Sequence, residues 1–464
     1  VSDVVHVSGG TAAVETESLV ALADRLWVLA DEAVAIRVDL DFATTVIDTS
    51  PSGAPAAAMR AAQELERARI ALHLVEAEAR FLSLGLSAAA RGYTVAEDAA
   101  RWTVGAAVDG WAYSLGLLAP LIAGPFLVAG GALLLASPEQ RNAVLSNPTV
   151  IRAIRAITMG ADDAILARLG VPPGLVALLG DQGLGITGVP FAASAVAAFG
   201  RPLGLLQESP VRVTDARPSP RVPLATPATF SDRFSRIPIS SEDDGAQVRI
   251  ETYEMPDGTR RYEVYVGATV DFDPAAVGEP FDMASNISNA MGAGSGSYDA
   301  VLAAMAEAGI RPDDEVQFTG YSQGAATAAH LATSGGFNTQ GLVTFGGATG
   351  QIPIPDTVNA VIVEHTDDPV AALGGAQENT HAVIVERWAS AETDFSDAPI
   401  LPGHQRPGYV ETAGLMDGST QTRLTDAAAS LTAFSAGGRL VSSVDYVTAR
   451  VDAPELKQKV SGPS

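Results

Sequence analysis

The chain has 464 residues, of which 47% are hydrophobic and 18% charged, with a formal net charge of −25 and no cysteine. That length exceeds one ordinary core and predicts two or three domains, and the composition excludes wholesale disorder. The acidic excess excludes nucleic acid and anionic surfaces as natural partners, and the lack of cysteine removes disulfides, thiol catalysis and thiolate metal sites.

The N-terminal "VSDVVHVSGG" has no basic region followed by an apolar run, so no secretory signal peptide is expected. Leu19, Leu22, Leu26, Leu29, Ala33, Ile36 and Leu40 then recur at steps of three and four. Leu65, Ala68, Leu72, Val75, Ala79, Leu82, Leu86, Ala89 and Tyr93 do the same. That alternation lines one helix face. With the turn signal "DTSPSGAP" between the two runs, it predicts an antiparallel helical hairpin within residues 1–107. Residues 108–200 read as an apolar helical region. Gly110 to Pro138 carries no charge and is long enough for a membrane contact, since a span needs about 20 apolar residues. Pro120, Pro125 and several glycines fit a buried helix–loop–helix as well. Residues 201–245 are rich in proline without sustained period and predict an extended linker.

From residue 246 to 464 the pattern becomes strand-like and then alternates. Gln247–Glu254 and Thr259–Gly267 flank a turn at "MPDG". A helix is expected at Tyr298–Ala308, a strand at Glu315–Thr319, a helix at Gln323–Thr333, and strands at Gly341–Phe345, Asn359–Glu364 and Ala382–Arg387. Alternating strands and helices predict an α/β domain with a largely parallel sheet.

"FTGYSQGAA" places Ser322 between Gly320 and Gly324, at the junction of a predicted strand and a small-residue helix. This G-x-S-x-G arrangement is a nucleophile elbow: the turn lifts the hydroxyl off the strand end, and side chains at either glycine would collide with neighbouring backbone. The alternative is a tight turn with a helix-capping serine. The Gln323 amide, at the helix start, is placed to stabilise an oxyanion. A second donor belongs after an earlier strand, and Thr269 in "VGATVDF" is the candidate. An acid and then a histidine must follow. "VIVEHTDDPV" ends a strand in two aspartates; Asp368, before Pro369, is preferred and Asp367 is the alternative. Of the six histidines, His404 in the loop "LPGHQRPGY" is preferred as base, with His381 the alternative. No metal-ligand spacing and no phosphate-cradling loop appears, so neither metal nor cofactor is expected.

The segment from about Tyr262 to Gly414 resembles bacterial serine α/β-hydrolases of the esterase/lipase type. Their oxyanion turn, elbow, acid segment and late loop histidine correspond to "GAT", "GYSQGA", "EHTDDPV" and "GHQRPGY" here. Tyr321, Ala268 and Ala325 depart from the common residues. The resemblance implies an α/β-hydrolase domain that cleaves an acyl ester, thioester or lipid through an acyl-enzyme. Ser322, Asp368 and His404 would be its triad. The N-terminal hairpin is similar to helical-hairpin proteins exported by type VII secretion, with Tyr93 and Glu97 at their tyrosine–acid motif. That implies a small helical partner for residues 1–107 and a secreted or cell-envelope location. The competing expectation is an interaction protein whose hydrolase-like domain is inactive.

Overall fold

A computed structural model of the chain describes residues 5–9, 13–49, 60–69 and scattered positions to 83, 137–168 except 160, and 188–451 except 221–224, 293, 335 and 391–398. The chain divides into two compact units, Thr11–Val104 and the remainder. The apolar stretch at 110–136, Tyr93, Glu97 and most of the "DTSPSGAP" turn lie outside the described residues. Among the described residues, no helix is long and apolar enough to cross a membrane.

In the smaller unit, Ala13–Thr49 is one α-helix, which continues nine residues past Leu40, the last residue of the apolar stripe. It ends just before Ser50, whose position ahead of Pro51 disfavours the helical conformation. Residues 60–69 are helical as well. Arg37 pairs with Glu76, and Arg80 reaches Asp31 at 3.4 Å and stacks over Trp27, so the two segments run antiparallel. The seam differs in detail from the expected stripe. Ala33 is buried as expected, but Ala30 joins it there, while Leu29 and Ile36 are exposed.

The larger unit is built on a nine-stranded mixed sheet of order β1-β8-β7-β6-β5-β4-β3-β9-β2. The strands are β1 (His6–Gly9), β2 (Val211–Pro218), β3 (Val248–Glu254), β4 (Arg260–Val266), β5 (Glu315–Tyr321), β6 (Asn338–Phe345), β7 (Asn359–His365), β8 (Val383–Arg387) and β9 (Arg439–Arg450). β4 to β8 are parallel to one another, and β3, β9, β2 and β1 join antiparallel. The parallel strands are apolar on both faces because both are covered. Val316 and Phe318 of β5 enter one core with the helices Gly296–Glu307 and Gln323–Thr333. Tyr321, at the alternate register, enters the other, with the helices Phe230–Arg236, Arg406–Asp417 and Thr422–Ser435.

Two expectations change. The stretch 201–245 is not an extended linker: it supplies β2 and the helix Phe230–Arg236. Pro218 is tolerated because β2 is an edge strand, where a missing N–H costs no ladder bond. The helix then fastens to the sheet through buried charges. Arg233 Nη1 bonds Glu263 at 2.9 Å and Gln317 at 3.1 Å, and Arg236 Nη1 bonds Glu251 at 2.7 Å. Second, His6–Gly9 is a strand on β8 rather than part of a helical region. Four residues are too few to show an alternating pattern.

Segments of the apolar helical region also pack on this unit. Arg155, in the helix Pro148–Met159, bonds the buried Glu364 of β7 at 2.7 Å. Val189 N, opening the helix Val189–Gly200, donates to Gln351 at 3.1 Å.

Candidate active site

The carboxyl ends of the parallel strands collect the residues singled out by their motifs. β5 runs through Gly320 and Tyr321 to Ser322, and the helix Gln323–Thr333 follows at once. Ser322 adopts φ 56° and ψ −122°, a left-handed φ that non-glycine residues rarely take and that costs on the order of 1–3 kcal/mol. Its backbone N–H is held by Phe345 O of β6 at 2.9 Å. Both elbow glycines are required by space. A Cβ on Gly320 would lie 2.3 Å from Gly324 O, and one on Gly324 would lie 2.3 Å from Gly267 O. That second contact also sets the turn after β4 directly against the elbow.

The Ser322 hydroxyl makes no helix-capping bond. It meets His404 Nε2 at 2.9 Å, and His404 Nδ1 meets Asp368 Oδ2 at 2.7 Å. The serine is therefore not a capping residue but one end of a hydrogen-bonded chain. Asp368 follows β7 and is fully buried. Its Oδ1 accepts from Val370 N at 2.8 Å, which starts the short helix Pro369–Ala372. Its Oδ2 also accepts from Tyr409 Oη at 2.7 Å. Burial alone would raise the Asp368 carboxyl. The His404 imidazole and the hydrogen bonds from His404 and Tyr409 outweigh it and hold the group below the usual carboxylate range.

The two open alternatives separate cleanly. Asp367 turns away from the histidine and accepts from Ala389 N at 3.0 Å, from Ser390 N at 2.8 Å and from Ser390 Oγ. It shapes the loop after β8. His381 precedes β8 and so lies at the opposite end of the parallel sheet from Ser322.

Residues that lie within the quoted motifs, or far from them, but were given no role there hold His404 in place. His365, fully buried, bonds Gly403 O through Nδ1 at 2.7 Å and Thr412 Oγ1 through Nε2 at 2.8 Å. Its ring stacks on Tyr409 at 3.7 Å. Tyr321, one of the positions that depart from the resemblance, stacks on the His404 ring and donates its hydroxyl to His404 O. Arg406 covers Tyr321 and Phe234 in turn. These contacts join residues far apart in the chain, so no local pattern could announce them.

Thr269 follows Gly267 in the turn against the elbow, and its Oγ1 accepts from Asn286 Nδ2 at 3.1 Å. Gln323 is buried, and its Nε2 donates to Asp282 O at 2.9 Å. Both candidate oxyanion residues are thus anchored through their side chains. Among the described residues no cluster of histidine and acidic side chains could hold a metal ion.

A neutral imidazole accepting from a serine hydroxyl, oriented by a buried carboxylate, is able to remove the serine proton during attack on an acyl carbon. No family model, curated protein or solved structure matches the chain.

Proposed function

We propose that the chain is a serine hydrolase that cleaves a carboxylic ester or thioester through an acyl-enzyme. The observation that carries this reading is the continuous bond chain Ser322–His404–Asp368, with the serine in a strained φ. Ser322 attacks the acyl carbon while His404 takes its proton. His404 then returns that proton to the leaving alcohol or thiol, and water repeats the sequence on the acyl-serine. The backbone amides of Gln323 and Thr269 take the oxyanion. The finer assignment of the sheet as an α/β-hydrolase fold rests on the same order of parts: oxyanion turn after β4, elbow after β5, acid after β7, histidine after β8.

An intact triad supports an enzyme over an inactive scaffold. The second reading, a partner-binding helical segment, is favoured by one observation: Val38 and Phe42, four residues apart on the helix Ala13–Thr49, are 62% and 72% exposed. In that reading the antiparallel helices of residues 1–107 dock a small helical partner and direct the enzyme to the cell envelope.

Fluorophosphonate labelling with peptide mapping tests the enzyme reading. Label is expected on Ser322, absent in Ser322→Ala and strongly reduced in His404→Ala. Ester turnover is expected to fall on the order of 10⁴-fold or more in either variant. A folded wild-type chain that takes no label would reject the assignment.

A further inference from the structure

The two residues proposed to supply the oxyanion hole follow different strands, yet both are tied to one short segment, residues 281–286, the turn that enters the helix Met283–Ala290 and that helix's first residues. Asp282 O accepts from the Gln323 side chain at 2.9 Å. Phe281 O accepts from Val270 N at 2.8 Å and Asp271 N at 3.2 Å, immediately after Thr269. Asn286 Nδ2 holds Thr269 Oγ1. This turn has a buried anchor. Asp282 is fully buried; its carboxylate caps the helix Met283–Ala290 by accepting from Ser285 N at 2.8 Å. Arg450, the last residue of β9, grips the same carboxylate with two nitrogens, Nη2 to Oδ1 at 2.9 Å and Nε to Oδ2 at 3.1 Å. It also donates to Glu279 O, to Ser285 Oγ and to Glu208. The fit is specific, because a Cβ on Gly296 would fall 2.7 Å from Arg450 Nη2.

We propose that the buried Arg450–Asp282 pair is a positioning device for the oxyanion hole, an inference that rests on the esterase reading of Ser322. Neither member of the pair hydrogen-bonds the serine, whose hydroxyl meets His404. It fixes the turn from which Gln323 and the Thr269 loop take their places. A planar two-point grip suits this task, since it sets orientation as well as distance. The charge on Asp282 is what the grip requires; an asparagine would keep the size and the helix cap but not the ion pair.

The test uses the full chain with p-nitrophenyl butyrate as substrate and an alkyl trifluoromethyl ketone as transition-state mimic. Asp282→Asn and Arg450→Met are expected to lower kcat on the order of 10–100-fold with KM within about twofold. The Ki of the ketone should rise by the factor that kcat/KM falls. A structural role alone would lower the active fraction without moving Ki. Unchanged kcat in Asp282→Asn, or a fall in kcat with Ki unmoved, overturns the proposal. Should the buried-pair variants not fold, Asn286→Ala removes the half-buried bond to Thr269 and a weak local contact to Met283 Sδ within the same helix, and is judged by the same two readouts, where unchanged kcat and Ki overturn it. A wild type that neither turns over the ester nor takes fluorophosphonate label would instead reject the esterase reading, and this proposal with it.

Discussion

Asp368 keeps its charge in full burial because His404, Tyr409 and the Val370 amide all address it. Its folded-state value lies below the unfolded one, near 3.9. The stability this shift contributes is complete above the unfolded value and is lost as pH falls through the folded value. Tyr409→Phe removes one donor, so the shift shrinks. The acid-unfolding midpoint, followed by circular dichroism, is expected to move to higher pH, with a loss of about 1.5–3 kcal/mol at neutral pH. An unmoved midpoint would mean that His404 and the Val370 amide hold the charge without Tyr409. Gly324→Ala tests the elbow differently, because its Cβ would meet backbone oxygens of Gly267 and Val266, which have no side-chain freedom to yield. It is expected to cost at least about 1–3 kcal/mol and to abolish labelling of Ser322. Ser322, Asp368 and His404 were legible in the sequence because each sits in a short motif set by local backbone geometry. Tyr409, His365, Asp282 and Arg450 were not, since each acts through partners far along the chain. Only Asp282 carried a local signal, a capping residue just before Met283 at a helix start.

At the scale of elements, the helix Phe230–Arg236 shows how a proline-rich segment becomes structural. Burial pushes the Glu263 carboxyl up, and Arg233 beside it pulls it back. Arg233→Met leaves that carboxylate without its cation and is expected to destabilise the fold by about 3–5 kcal/mol in urea unfolding. The double variant with Glu263→Leu should recover much of the loss; strictly additive losses would show that the two residues act independently. The central strands were readable because covered parallel strands are continuous apolar runs bounded by turn residues. The edges were not. β2 is proline-flanked with alternation broken by a register shift between Val213 and Asp215. β1 is too short to have a period, and β9 was passed over although the turn signal Gly437–Gly438 stands just before it.

For the whole molecule, a net charge of −25 makes self-repulsion a term in stability. The thermal midpoint at pH 7 is expected to rise as NaCl increases from near zero to about 0.5 M, where the screening length falls below about 5 Å. A flat or falling midpoint would show that buried ion pairs such as Arg249–Asp445 and Arg450–Asp282 outweigh repulsion. The division into a helical unit and a sheet unit was foreseen only in outline, because the sheet draws strands from both sides of the helical segment. That arrangement has a kinetic consequence. Most of the described chain lies between His6 and Glu386, which pair across β1 and β8. Closing so long a loop is entropically slow, and the parallel strands do not depend on it. The elbow, acid and histidine can therefore assemble while the β8 edge is still open. On that order of events the sealing of this border follows assembly of the candidate site, leaves it untouched, and ends the interval in which the bare strand could pair with another chain.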